Sequence, residues 1–171
     1  MQTSASFHFF SARIILAGLW GMICSLAIAA PILLSNSSNT AASFIYLLFS
    51  RICHQIPERS FQLFGHPMAV CHRCLGIYIG LFLGSLIKNR FFHRSPQIRR
   101  VWIMAAVAPM LLDFCLSFSG LWHSAGIIRF STGLVFGSLI SSLLVRGVSE
   151  LLHEAPWRQR ANGDSLIKGG I

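Results

Sequence analysis

The reactive side chains of this sequence are concentrated in a short stretch that holds three of its five cysteines. Cys71 and Cys74 form a C-x-x-C pair, and Cys53 lies upstream next to His54. Zn²⁺ prefers four tetrahedral ligands drawn from thiolate and imidazole, and a C-x-x-C pair supplies two of them at a suitable spacing. The pattern therefore predicts a site for zinc or another transition metal, with Cys53, His54, Cys71 and Cys74 as ligands.

The same thiols support other interpretations. His66 or His72 could take the place of His54 as the fourth ligand. On an oxidising side of a membrane, a C-x-x-C pair can cycle between dithiol and disulfide, which is typical of a quinone-linked thiol–disulfide oxidoreductase. Such systems generally use a second cysteine pair, whereas the loop here has Cys53 alone. A structural disulfide in a non-catalytic scaffold or subunit is the third alternative, and enzyme activity stays an open question.

A second informative group is charged and lies in or beside apolar segments. A carboxylate such as Asp113 is costly within a membrane span unless it is paired, and it usually marks a functional site. Arg129 has a similar predicted depth in the next segment and is the expected partner of Asp113. Arg73 or Arg129 could lower a thiol pKa or polarise a quinone carbonyl. These three residues are the candidate catalytic groups, and a purely structural Asp–Arg pair is the alternative.

The elements that must position these groups are membrane helices. Of 171 residues, 54% are hydrophobic and 11% are charged, a composition unlike that of a soluble domain. Hydrocarbon about 30 Å thick requires about 20 apolar residues per helix. Four windows meet or approach this length: 12–34, 67–87, 101–119 and 126–148. We predict an all-α integral membrane protein, a single domain over 1–171 organised as a four-helix bundle.

The connecting segments set the predicted topology. The apolar stretch 41–52 is too short to span and is expected to be an interfacial or re-entrant helix in an outer loop, 35–66. The loop 88–100 has five Lys or Arg and no acid, and the tail 149–171 holds Arg158, Arg160 and Lys168, with Arg146 just before it. Because the positive-inside rule counts Lys and Arg, it makes both segments cytoplasmic. We therefore expect a multi-pass protein of the cell (inner) membrane with both termini cytoplasmic.

Two features of the first span bear on this topology. The motif A-x-A at 27–29 resembles a signal-peptide cleavage site, but the apolar run continues through Pro31 to Leu34. Cleaved or retained, the segment delivers residue 35 to the outer side. At a rise of ~1.5 Å per residue, the thiols, Asp113 and Arg129 then fall near the outer end of the bundle.

Expected partners follow from charge and from glycine spacing. The net charge of +9 does not indicate nucleic-acid binding, because the basic residues lie between apolar segments; we expect them to attract anionic lipids at the cytoplasmic face. Small residues recur at every fourth position in two of the windows, which permits close helix packing, a homo-oligomer or a membrane partner. They are Gly76, Gly80 and Gly84, and Gly133, Gly137 and Ser141.

Several motifs together resemble domain-of-unknown-function family 2085, a family of small prokaryotic membrane proteins. They are CHQIPERSF at 53–61, CHRCLGIYIG at 71–80, Pro109 with Asp113, and RFSTGLVFG at 129–137. The resemblance covers roughly residues 45–140. It implies a polytopic membrane protein with Cys53, Cys71 and Cys74 as signature thiols and Gln55, Arg59, Arg73 and Tyr78 beside them. It implies no established reaction.

Overall fold

The structure, a computed structural model, describes residues 2–87, 96–119 and 125–154 and is mostly helical. The predicted cytoplasmic loop and tail lie largely outside these residues. In chain order the elements are α1 (Gln2–Ser35), α2 (Asn39–Ser50), a 3₁₀ turn (Pro57–Arg59), β1 (Gln62–Leu63), β2 (His66–Pro67), α3 (His72–Leu86), α4 (Pro96–Phe118) and α5 (Gly126–Glu154).

Three helices in the described residues are long and apolar enough to cross a membrane. Their candidate spans are Phe9–Ser35, Arg100–Phe118 and Gly126–Leu152. The remaining apolar helix, α3, has 15 residues and begins at His72, five residues after the start of the window 67–87. Pro67, which the sequence places in the first turn of that span, instead belongs to β2. The stretch predicted as an interfacial helix corresponds to α2, a 12-residue helix.

The helices α3 and α5 are packed backbone to backbone. A Cβ atom added to Gly80 would lie 2.3 Å from the carbonyl oxygen of Leu134, and one added to Gly137 would lie 2.3 Å from that of Ile77. Ser141 completes the contact by donating a hydrogen bond of 3.0 Å to the carbonyl of Leu81. The predicted small-residue faces are therefore used inside the chain, where only glycine leaves room for such an approach.

The order of these contacts gives the relative direction of the helices. Successive glycines of α3 meet successive turns of α5: Gly76 faces Phe130, Gly80 faces Leu134, and Gly84 faces Ser138. The two helices therefore run parallel. In contrast, α1 is antiparallel to α3, since Arg13 near its beginning donates hydrogen bonds of 2.9 and 2.8 Å to the carbonyls of Ser85 and Leu86 at the end of α3.

A buried core lies at the opposite end of α3, around its N-terminus. Ala27 and Ala30 of α1 are fully buried there, and their small side chains let α2 approach with Ile45 and Phe49. The segment Met68, Ala69 and Val70 fills the space that leads into α3. Cys53 belongs to the same cluster and is 5% exposed, so the first thiol is part of the hydrophobic core.

A two-residue hairpin fixes the chain between α2 and α3. β1 and β2 are antiparallel with Leu63 opposite His66, and the turn residues Phe64 and Gly65 have φ angles of 52° and 79°. Positive φ at both turn positions is the geometry of a type I′ turn, whose twist matches that of the paired strands. Tyr46 of α2 donates a hydrogen bond to the carbonyl of Pro67, which ties the hairpin to α2.

Candidate metal centre and adjoining cavity

Three cysteines from two stretches of the chain converge at the N-terminus of α3. Cys53 lies shortly after α2, Cys71 is the N-cap residue of α3, and Cys74 lies in its first turn. Their sulfur atoms all lie within 4.8 Å of one another. Cys53 is buried, and the other two thiols are partly buried. The sequence prediction that these three thiols form one cluster agrees with this geometry.

Hydrogen bonds favour the ionised form of Cys53. The neighbouring thiols of Cys71 and Cys74, with the backbone N–H groups of Gln55 and Cys71, lower the pKa of Cys53 from its usual value, against the opposing effect of burial. The N–H of Cys71 lies 3.2 Å from the sulfur. The N-terminus of α3 also carries partial positive charge that favours a thiolate. Cys53 is therefore prepared to act as an anionic ligand.

Gln55 holds the loop that carries Cys53. Its backbone has a φ angle of 49°, in the left-handed region that a non-glycine residue rarely adopts. Its side-chain amide donates to the carbonyl of Tyr46 at 2.7 Å and to that of Ala69 at 3.0 Å. A single side chain thus links the end of α2 to the segment before Cys71, which explains how two distant stretches keep their thiols together.

The histidines predicted as fourth ligands do not join the cluster. His54 follows Cys53 directly; it is exposed and lines a neighbouring cavity, and its role as a metal ligand stays a prediction. His66 lies in β2. His72 packs edge to face on Phe61, with ring centroids 4.2 Å apart. In the described residues, the cluster therefore consists of three thiols.

The carboxylate of Asp113 forms an ion pair with Arg73, the residue between Cys71 and Cys74. Their side chains are 7% and 18% exposed, respectively. The guanidinium of Arg73 also lies 5.8 Å from the ring centroid of Phe114. The sequence predicted Arg129 as the partner of Asp113. The ion pair is with Arg73, and Arg129 lies at the same end of the molecule. Asp113 is late in α4 and Arg73 early in α3, so the ion pair brings the C-terminal part of α4 to the N-terminus of α3.

A cavity of about 460 Å³ lies beside the thiol cluster. Its polar lining comes from the loop and from α3, α4 and α5: His54, Arg59, Cys71, Arg73, Ser117 and Arg129. Its apolar lining consists of Ile56, Phe114 and Phe118. All three candidate catalytic residues are therefore brought to one place, Arg73 and Arg129 on the cavity wall and Asp113 through its ion pair with Arg73.

Several residues of the cavity lining were not predicted from the sequence. Phe114, Phe118 and Ser117 follow Asp113 on α4, and they carried no signal beyond the apolar composition of a span. Arg59 was indicated only by the family resemblance, because an exposed arginine in a loop is ordinary. Tyr78, also indicated by the resemblance, packs against the core cluster and stacks on Trp20 with ring centroids 6.0 Å apart.

The fold and the cluster define a helical membrane protein with three thiols at one end of a close-packed helix pair. The family model of a predicted membrane protein, DUF2085, matches residues 53–143, and the chain belongs to that family. The matched region begins at Cys53 and includes the whole of the cluster and the cavity lining.

Two curated relatives are similar to this chain. An uncharacterised protein of Methanocaldococcus jannaschii is 34% identical over 123 residues, which cover 70% of this chain and 78% of the relative. An uncharacterised protein of Methanothermobacter thermautotrophicus is 34% identical over 93 residues, covering 54% of this chain and 84% of the relative. No solved structure matches the chain.

Proposed function

We propose that this protein binds a transition-metal ion, zinc or one with similar preferences, through Cys53, Cys71 and Cys74. The observation that carries the proposal is the convergence of three sulfur atoms within 4.8 Å. Tetrahedral coordination with Zn–S bonds of about 2.3 Å separates two sulfurs by roughly 3.8 Å, so an ion would fit after only small side-chain adjustments. The N–H groups that face Cys53 would neutralise part of the thiolate charge.

Three protein ligands leave one coordination position for another molecule. A fourth position open to water or substrate is the arrangement of catalytic zinc sites, whereas structural sites use four protein ligands. Cys71 lies both in the cluster and on the wall of the cavity. The open position would therefore face the cavity, which Arg73, the counter-ion of Asp113, and Arg129 also line.

We place the protein in the cell (inner) membrane as a multi-pass protein with both termini cytoplasmic. The antiparallel pair α1 with α3 and the parallel pair α3 with α5 agree with successive crossings, as does the meeting of the C-terminal part of α4 with the N-terminus of α3. The basic loop 88–100 and the tail 149–171 then lie on the cytoplasmic side, where the Lys and Arg residues of the loop would attract anionic lipids. The thiol cluster lies at the opposite, outer end.

Metal analysis of detergent-purified protein, with thiol counting in parallel, tests the metal site. We expect about one tightly held ion per chain in the wild type and in Cys115→Ser, since Cys115 is exposed on α4 outside the cluster. The double variant Cys71→Ser with Cys74→Ser should lose the ion while still accumulating in the membrane. No bound ion in the wild type, with two of the cluster thiols recovered as a reducible disulfide, would overturn the metal site.

That second result would favour a thiol–disulfide oxidoreductase. The position of Cys71 supports this alternative, since its thiol reaches the cavity next to Arg73, where a quinone could accept electrons from a dithiol. The discriminating measurement is quinone reduction by the reduced protein, with loss in Cys71→Ser and retention in Cys115→Ser. If neither metal nor redox activity is found and the cysteine variants fail to accumulate, the thiols have a structural role in a membrane scaffold or subunit.

A further inference from the structure

The cavity beside the thiol cluster carries an excess of positive charge. The guanidinium groups of Arg59, Arg73 and Arg129 line it, and the carboxylate of Asp113 is paired with one of them. Guanidinium groups form strong, directional hydrogen bonds with phosphate and carboxylate oxygens, most strongly where water is scarce. The walls of the cavity are therefore suited to a ligand with more than one negative charge.

Polar atoms with unused hydrogen-bonding capacity lie at the same place. The Nε of Arg73, the hydroxyl of Ser117 and one carboxylate oxygen of Asp113 are buried and have no partner among the described residues. A buried donor without a partner is costly, because it has lost its water and gained nothing in return. Two of these atoms are donors, and both belong to residues that line the cavity. A ligand that brings oxygen acceptors would satisfy them.

Part of the cavity lining is apolar and exposed. Phe114 and Phe118 lie on α4, and their side chains are 54% and 86% exposed. On a membrane helix, such exposed aromatic groups are expected to contact lipid chains. The cavity thus has a cationic interior and an apolar outer wall, and its volume of about 460 Å³ lies within the usual range for small-molecule sites.

We propose that this cavity binds the phosphate group of an amphiphile, with the phosphate among Arg59, Arg73 and Arg129 and the hydrocarbon against Phe114 and Phe118. A phosphate monoester can carry two negative charges, which matches three guanidinium groups beside one carboxylate. The donors Arg73 and Ser117 would be satisfied by its oxygens. The cavity shares Cys71 with the proposed metal site, but the three arginines are not metal ligands, so phosphate binding does not require the metal.

Isothermal titration calorimetry in a non-ionic detergent tests the site, with three probes that separate the possible sources of the phosphate. The probes are a short-chain phosphatidic acid, inorganic phosphate and a neutral short-chain diacylglycerol. The wild type should bind phosphatidic acid saturably and more tightly than inorganic phosphate, and it should not bind the diacylglycerol with comparable affinity. Equal affinity for inorganic phosphate would overturn the role of the apolar wall, and equal affinity for the diacylglycerol would overturn the role of the arginines.

Matched arginine variants localise the binding. Arg59→Gln and Arg129→Gln should each weaken phosphatidic acid binding by about tenfold or more, since each removes charge-assisted hydrogen bonds. Arg51→Gln, an exposed arginine near the same loop but not on the cavity wall, should bind as the wild type does. Equal loss in all three variants would mean general attraction of the anion to a basic protein and would overturn the proposal. Arg59 is exposed in a turn, so its variant should fold and keep its metal content even if the helical Arg129 variant does not.

Discussion

Gly80 of α3 lies directly against the backbone of Leu134 of α5, so closely that a methyl group at Gly80 would come within 2.3 Å of the Leu134 carbonyl oxygen. Backbone atoms in two packed helices cannot move aside as a flexible side chain can. The absence of a side chain at Gly80 therefore sets the separation of α3 and α5. It also helps to fix the position of the thiols at the start of α3.

Gly80→Ala should accordingly destabilise the protein. Overpacking of a tight contact typically costs about 1–3 kcal/mol, and here the whole helix pair must separate to relieve it. We expect a lower midpoint of thermal unfolding in detergent, followed by tryptophan fluorescence. Gly147→Ala on α5 is the matched control, because a Cβ at that position would contact nothing within 4 Å. Equal midpoints for the two variants would contradict the close backbone packing.

The ion pair between Arg73 and Asp113 predicts strong energetic coupling. Removal of one member of a buried pair leaves an uncompensated charge and typically costs about 3–5 kcal/mol. Asp113→Asn and Arg73→Gln should each destabilise the protein, and their combination should cost much less than the sum. The same double-mutant cycle for Asp113→Asn with Arg129→Gln should show weaker coupling. Stronger coupling to Arg129 would restore the pairing expected from the sequence.

The hydrogen bonds of Arg13 should stabilise the C-terminal end of α3. Its side chain satisfies the carbonyls of Ser85 and Leu86, and a cation at a helix C-terminus also interacts favourably with the helix dipole. Arg13→Gln should cost about 1–2 kcal/mol. Amide hydrogen exchange should accelerate in the last turn of α3 more than elsewhere, and Arg100→Gln, at an exposed position on α4, should leave that turn unchanged.

Metal affinity should depend on Gln55, although Gln55 is not a metal ligand. Gln55→Glu keeps the size of the side chain but loses both donors to the carbonyls of Tyr46 and Ala69. The loop should then hold Cys53 less firmly, and metal retention during dialysis against a chelator should fall while all three thiols remain. Gln62→Glu, an exposed glutamine on β1, is the control. Unchanged retention in Gln55→Glu would show that the loop is held by other contacts.

The sequence predicted the helical segments, and it predicted that the polar groups lie at one end of the molecule. Both predictions have a physical basis. Long apolar windows are imposed by the thickness of hydrocarbon, and glycines at every fourth position lie on one helix face regardless of the rest of the fold. Depth follows from the rise per residue, so Asp113 and Arg129 could be assigned to the same end of the molecule as Cys71 and Cys74.

The sequence did not predict how each helix is rotated about its own axis, and it did not predict the conformation of the loop. Depth alone cannot distinguish Arg73 from Arg129 as the partner of Asp113, because the choice depends on how α3, α4 and α5 are turned toward one another. The start of α3 was missed because the type I′ turn is formed by Phe64 and Gly65, a pair that lacks the Asn-Gly or Asp-Gly signature of such turns. His54 was assigned as a ligand from its proximity in sequence to Cys53, whereas the two side chains have opposite burial.

The shortness of α3 has a consequence for where the thiols lie relative to lipid. Fifteen residues of helix rise only about 22 Å, less than a hydrocarbon layer of about 30 Å. We therefore expect the hairpin and the segment 68–71 to complete the crossing, as non-helical chain can do at membrane depth only when its backbone is shielded by protein. Tyr46 and Gln55 contribute to that shielding through their hydrogen bonds to the carbonyls of Pro67 and Ala69. The cysteines would then occupy the floor of a recess below the membrane surface, which ions and phosphate groups reach from the aqueous side while hydrocarbon chains reach it sideways from the bilayer.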